Sequence, residues 1–304
     1  MLLWCLVLAV VIGSGPGCGA IGTASRPEAV WGIQGTRDGW LMKPRVAAFD
    51  HEDHLYLADL TDRIQVFDRD GKFLRAWRMP ALNVDGPSGL YVDREGEVVV
   101  ADTHFYRVMI YDRQGRLLRQ IGDGVQGTEP GRFGYVTDVV RDRAGRFYVS
   151  EYGENDRVQV FEPDGTFVTQ WGGYGYEAGE FRRPRALAID RNDHIYVADS
   201  GNHRIQVFDT SGKLLRSWGT RGPEVGQLSF PFDVALDQND DLYVCEYGNQ
   251  RVQKFRADGT PLGVWGRAGR AEGELANPWA LAVDSTGAVS VVDSGNHRVQ
   301  RVRL

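Results

Sequence analysis

The chain has 304 residues, enough for two ordinary domains or one large all-β domain, and its 42% hydrophobic and 25% charged residues are those of a folded globule. A formal net charge of −6 excludes a general attraction to nucleic acid or anionic lipid, and 38 glycines fit a turn-rich architecture. No charged side chain precedes Arg26, so the same balance holds for the folded part.

Leu2 to Ile12 is an unbroken apolar run, followed by the small, turn-prone stretch Gly13 to Gly19. The run is too short to cross a bilayer, which needs about 20 apolar residues. It has the length of the hydrophobic region of a signal peptide and ends in small residues, although no basic side chain precedes it. Cys18 stands where a bacterial lipoprotein signal places its lipid-bearing cysteine, and Gly17 suits the position before it. Residues 1–18 are therefore expected to be an export signal with Cys18 as candidate lipidation site, residues 19–27 a linker, and residues 28–304 the folded domain. The expected setting is outside the cytoplasm, as a membrane-anchored periplasmic or cell-surface lipoprotein or as a secreted protein. Of the other cysteines, Cys5 falls in the signal and Cys245 in an apolar strand, which leaves no disulfide framework.

From Arg63 onward the chain repeats. Arginine followed by a β-branched residue recurs at Arg63, Arg107, Arg157, Arg204, Arg251 and Arg298, with spacings of 44, 50 and then 47 three times, and in the first four an apolar residue stands three after the arginine. Upstream of each arginine an aspartate closes a short apolar run: Asp50, Asp93, Asp142, Asp190, Asp237 and Asp284. A tight turn follows, then a second apolar strand ending in an acid: Asp59, Asp102, Glu151, Asp199, Glu246 or Asp293. After the arginine strand comes a turn ending in glycine, as in Asp70-Gly71 and Asp258-Gly259, the hairpin signal in which glycine supplies positive φ. A fourth strand ends in Trp77, Ile121, Trp171, Trp218 or Trp265. Four short strands in a repeat of about 47 residues predict an all-β, six-bladed propeller with four antiparallel strands per blade. No segment sustains a 3.6-residue period, which excludes a helical solenoid.

The sixth repeat stops at Leu304 without its fourth strand, while Val30-Trp31-Gly32 near the start matches Val264-Trp265-Gly266. The N-terminal strand is thus predicted to complete the last blade and close the ring, removing a sheet edge.

Pro184 to Asp190, Tyr196 to Asp199, and Asn202-His203-Arg204-Ile205-Gln206-Val207-Phe208 resemble the NHL repeat, which reads roughly Pro-x-Gly-Val-Ala-Val-Asp, Tyr-Val-Ala-Asp, Asn-x-Arg-Ile-Gln-Val-Phe. The resemblance covers residues 28–304 and implies binding on the face carrying the loops before the innermost strands. It implies no single activity.

The acid ending each second strand and the arginine opening each third strand, Asp59 with Arg63, Asp102 with Arg107, Glu151 with Arg157, Asp199 with Arg204, Glu246 with Arg251 and Asp293 with Arg298, lie across one turn. Six equivalent pairs round a ring are expected to pin their own turns rather than to catalyse. The matched position after the strand-one proline carries Arg45, Ser88, Thr137, Arg185, Phe232 and Trp279, and the next carries Val46, Gly89, Asp138, Ala186, Asp233 and Ala280. Tyr152, Tyr247 and His104 come from the loops between second and third strands on the same face. Arg45, Asp138, Arg185, Phe232, Asp233, Trp279, Tyr152 and Tyr247 are the candidate ligand-binding residues, with guanidinium beside aromatic rings suiting an anionic or planar ligand. His203 and His297 occupy identical turns two blades apart, which argues for repeat inheritance over a shared zinc.

The expected function is a non-catalytic binding or scaffold module, a monomer whose funnel face meets a protein, peptide or glycan, with no nucleic acid as partner and the membrane reached only through the lipid. No catalytic residue and no metal ligand is assigned, and no cofactor is expected, calcium being the one candidate. The alternative is a metal-dependent lyase or hydrolase. Related six-bladed amidating lyases hold zinc with histidines at positions such as the one after the strand-one proline, and lactonases hold calcium with a Glu/Asn/Asp cluster in the funnel. Here no histidine stands among the matched residues, and Asp138 and Asp233 are the carboxylates placed there.

Overall fold

The structure is a computed structural model and describes residues 22–23, 26–80 and 86–304. The expected signal stretch with Cys5 and Cys18 lies outside the described residues. Short apolar runs too brief for helices, each ending in a turn signal, fold as strands. Pro184–Ile189, Ile195–Asp199, Arg204–Phe208 and Leu214–Trp218 pair antiparallel in that order and form one blade. The aspartate after the first strand has a local cause: the Asp190 carboxylate accepts the backbone N–H groups of Asn192 (2.8 Å) and His194 (2.9 Å), fixing the tight turn. Ile195–Asp199 is buried throughout, whereas the outer strand Leu214–Trp218 alternates half-buried and exposed residues because solvent meets one side.

Six such sheets stand round an axis, so the fold is the six-bladed propeller expected from the repeats. Their innermost strands, which number the blades 1 to 6, are Val46–Phe49, Gly89–Val92, Tyr135–Arg141, Pro184–Ile189, Pro231–Leu236 and Pro278–Val283. Ala29–Trp31 pairs antiparallel with Arg298–Val302, Trp31 opposite Val299, and supplies the outer strand of blade 6. The ring therefore closes as its ends predict. Within the stretch expected to be linker, Gly22–Thr23 also pairs, parallel, with Pro261–Trp265 at the edge of blade 5. The N-terminal segment thus touches two blades.

The core is not central but lies in six clusters, each shared by neighbouring blades. Between blades 1 and 2, Tyr56, Ile64 and Val66 meet Leu90, Val98, Val100 and Met109. Between blades 6 and 1, Val292 and Val299 meet Leu41, Leu55, Leu57 and Phe67. Full burial of such a side chain contributes about 1.5–3 kcal/mol. The tryptophans ending the outer strands are wedges between blades: Trp171 lies 5.8 Å from Tyr148 of its own blade and 6.0 Å from Phe208 of the next. Each wedge needs room. A Cβ on Gly212 would come within 2.8 Å of the Trp171 ring, and one on Gly115 within 2.3 Å of Trp77, so these hairpin glycines serve the packing as well as the turn.

All six acid–arginine pairs form. Arg204 Nε donates to Asp199 at 2.7 Å, Arg251 to Glu246 at 2.6 Å, Arg298 to Asp293 at 2.7 Å and Arg107 to Asp102 at 2.9 Å; Arg63 meets Asp59 at 3.2 Å, and Arg157 bonds Glu151. Five of the arginines also hold the loop entering their blade: Arg204 donates to the carbonyls of Tyr176, Glu177 and Glu180 at 3.0, 2.7 and 2.8 Å. The glutamine two residues on completes the clasp, Gln206 accepting from Gly179 N–H (2.9 Å) and donating to Glu180 C=O (2.8 Å). Gln65, Gln159, Gln253 and Gln300 do the same. Blade 2 is the exception. Met109 stands at the glutamine position, and among the described residues Arg107 reaches no loop carbonyl, in the repeat with the short 44-residue spacing.

Candidate functional site: the funnel mouth

The six inner strands leave an axial channel enclosing about 240 Å³, lined by backbone-proximal Val, Ala and Leu side chains with Asp138 and Asp233 among them. Each carboxylate stitches two blades. Asp138 accepts the N–H of its neighbour Val139 and of Leu187 in blade 4, both at 2.8 Å. Asp233 accepts from Val234 at 2.9 Å and from Leu281 in blade 6 at 2.8 Å. Burial pushes the Asp233 carboxyl up to about 7 against these N–H groups. Asp138 is held well above the ordinary carboxylate range by burial and then by the charge of Asp233. Space for Asp138 comes from Gly89 on blade 2, where a Cβ would meet its carboxylate oxygen at 2.4 Å.

Above the channel the predicted residues converge. The Arg185 guanidinium leaves blade 4 and lies over Phe232 of blade 5 at 4.8 Å and over Trp279 of blade 6 at 5.5 Å. Arg45, from blade 1, lies over the same indole at 4.4 Å. Phe232 and Tyr247 stack at 4.4 Å with planes 16° apart, and Trp279 stands edge-on to both, at 5.2 and 5.9 Å. Tyr152 carries Arg183 over its ring at 5.0 Å and stacks with Tyr135 at 5.2 Å. Tyr135 in turn meets His104 and Tyr106, each at 5.8 Å. A crescent of rings and cations thus runs over the mouth from blade 2 round to blade 1.

Arg185 is the chemically unusual member. It is only 8% exposed, yet among the described residues it makes no hydrogen bond or ion pair, and its Nε has no acceptor. Burial, with Arg183 and Arg45 nearby, lowers its pKa to about 10, so it stays charged at neutral pH. The buried Nε1 of Trp279 likewise has no acceptor.

Not every funnel-face residue joins the crescent. His203 and His297 accept backbone N–H groups from the next blade, Phe230 and Lys43, each at 3.1 Å through Nδ1. Arg183 and Tyr135 escaped the sequence reading because they stand one residue before the strand-one proline position. Aligning that column gives Lys43, Gly86, Tyr135, Arg183, Phe230 and Asn277, in which the aromatic and cationic bias is visible.

A model of the NHL repeat matches residues 181–208, 228–255 and 275–302, which are the first, second and third strands of blades 4, 5 and 6 with the turns between them. The six-bladed propeller carries NHL repeats in blades 4, 5 and 6. Its NHL repeats are similar to peptidylglycine alpha-amidating monooxygenase of Rattus norvegicus, 37% identical over 38% of this chain and 13% of that protein. They are similar also to NHL repeat-containing protein 3 of Mus musculus, 30% identical over 49% of this chain and 46% of that one. The chain therefore spans less than half the length of these curated relatives. Among solved structures, a gluconolactonase of Xanthomonas campestris superposes with a TM-score of 0.65 at 15% identity, covering 87% of this chain and 86% of the other. A virginiamycin B lyase of Staphylococcus aureus does so with a TM-score of 0.63 at 13% identity, covering 90% and 84%. At such identities the likeness is one of fold.

Proposed function

We propose that this NHL propeller is a non-catalytic binding module that meets a protein, peptide or glycan with its funnel face. The observation that carries the reading is the crescent itself: matched positions of a repeat protein, free to be alike, instead gather Arg45, Arg185, Phe232, Tyr247 and Trp279 over one opening. Aromatic faces and guanidinium groups are the side chains enriched at interface hot spots. The acid–arginine pairs are spent on holding turns and loops, which leaves them no role toward a ligand.

The second reading, a metal-dependent lyase or hydrolase, draws on the names of the amidating, lactonase and lyase relatives. The donor set here does not suit it. Asp138 and Asp233 each give both carboxylate oxygens to backbone N–H groups, and the matched rim residues include no imidazole. Among the described residues no three His, Cys, Asp or Glu side chains gather as a metal would need.

Elemental analysis of the purified protein, with calcium and zinc thermal-shift series, separates the readings. Stoichiometric metal with a raised melting temperature would replace the binding module by the enzyme. The binding reading expects glycan or peptide array signals that Trp279→Ala together with Tyr247→Ala abolishes; signals indifferent to that pair would refute it.

A further inference from the structure

A buried guanidinium without an acceptor is a group for which the folded chain supplies only part of an environment. Arginine presents five N–H donors in a planar fork and accepts nothing, and removing them from water without acceptors is unfavourable. The rings of Phe232 and Trp279 offer π faces to the Arg185 cation but no lone pairs in the guanidinium plane, so its hydrogen-bonding edge is unused. The carboxylates that could serve are occupied: Asp233 and Asp138 each bind two backbone N–H groups below. Arg45 brings a second guanidinium to the same indole. What is missing at the mouth is one planar oxyanion.

We propose that the funnel mouth recognises a carboxylate, taken edge-on by the fork of Arg185 beside Arg45, with the apolar or aromatic body of its carrier against Phe232, Tyr247 and Trp279. This rests on the reading of the funnel face as a ligand site and names the group that site selects. Two oxygens in a plane match the guanidinium edge. A carboxylate is planar where phosphate is tetrahedral, so of the two only the carboxylate lies wholly in the plane of the guanidinium. The carrier is either a free aromatic acid or the C-terminus of a peptide; the chemistry at Arg185 is common to both.

The test compares acids with their neutral amides by equilibrium dialysis on the full chain: benzoate with benzamide, and N-acetylphenylalanine with its amide, inorganic phosphate serving as the dianion. The expected result is saturable one-site binding of an acid at least tenfold tighter than its amide and than phosphate, reduced at least tenfold in Arg185→Gln. Preference for benzoate points to a small acid, and preference for N-acetylphenylalanine to a chain terminus. Amides binding as well as acids, with Trp279→Ala weakening both, would overturn carboxylate selection while leaving the funnel as a ligand site. No saturable binding of any probe would also overturn it, and array binding dependent on Trp279 and Tyr247 would then still support the broader reading. A second measurement needs no ligand. If Arg185 is kept for binding and not for folding, Arg185→Leu melts higher than the parent protein; a lower melting temperature would mean that the guanidinium holds the blades together, and the proposal would fall.

Discussion

Gln253 accepts the amide proton of Gly226 at 2.9 Å and so grips, from the third strand of blade 5, the loop that arrives from blade 4. Its Nε2 donates to Gln227 C=O at 2.8 Å, and Arg251 takes the same carbonyl at 2.9 Å. The NHL signature Arg-x-Gln is thus a device for hydrogen-bonding a connection that has no secondary structure of its own.

Replacing a clasp glutamine with the residue blade 2 already uses tests this directly. Gln206→Met leaves Gly179 N–H and one lone pair of Glu180 C=O without the side-chain amide. A loss on the order of 1–3 kcal/mol is expected, since a buried unsatisfied group weighs more than an average hydrogen bond. Urea unfolding read by tryptophan fluorescence would show it as a lower midpoint at unchanged slope.

The wedge tryptophans give a matched pair of glycine variants. Gly165 and Gly212 occupy equivalent turns with φ of 89° and 84°, so alanine suffers the same backbone strain at each. The packing differs: a Cβ on Gly212 meets the Trp171 ring at 2.8 Å, whereas one on Gly165 meets Ile121 only at 3.6 Å. Gly212→Ala should therefore destabilise more than Gly165→Ala, by about 1–3 kcal/mol, the range of overpacking. Equal losses in chemical denaturation would show that the turn alone demands glycine.

How much of this was legible beforehand follows from what repeats and what does not. The blades, the ring closure through Trp31 and the acid–arginine pairs recur, so each copy checks the others, and all are present. The funnel residues Arg45, Arg185, Phe232 and Trp279 were found because alignment exposes where copies differ. That Arg185 crosses to rings one and two blades away was not legible, since side-chain reach over an opening depends on the ring's geometry and leaves no trace in spacing. Nor could sequence say that Asp138 and Asp233 bind the N–H groups of Leu187 and Leu281, because the register between neighbouring inner strands is a tertiary quantity.

His203 should make the protein acid-sensitive. Its Nδ1 accepts the Phe230 N–H, which requires the neutral ring, and burial followed by the charges of Arg221 and Arg182 lowers its pKa from 6.5. A depressed folded-state value means that the unfolded chain binds the proton more readily. The stabilisation is complete above the unfolded value of about 6.5 and is lost as pH falls through the lower folded one. His203→Asn should remove part of the decline in unfolding free energy between pH 7 and 5, and a parallel pH profile for parent and variant would assign the decline elsewhere.

Asp233 works in the opposite direction. Its folded pKa, about 7, stands above the ordinary 3.8 because burial disfavours the carboxylate, so the native state holds the proton more tightly than the unfolded chain. The contribution is fully present below about pH 4 and is lost as pH rises through 7, on the order of 2–4 kcal/mol over that window. Asp233→Asn cannot titrate, and it exchanges one acceptor oxygen for an amide facing the Leu281 N–H. Its absolute stability is therefore a poor guide, and the slope is the readout. Between pH 4 and 7 the variant should lose less stability than the parent, and a double variant with Asp138→Asn less again, because burial holds Asp138 above the ordinary carboxylate range as well. A parent protein whose stability is flat or rising across that window, once His203 is replaced, would mean that the two acids remain ionised beneath Arg185.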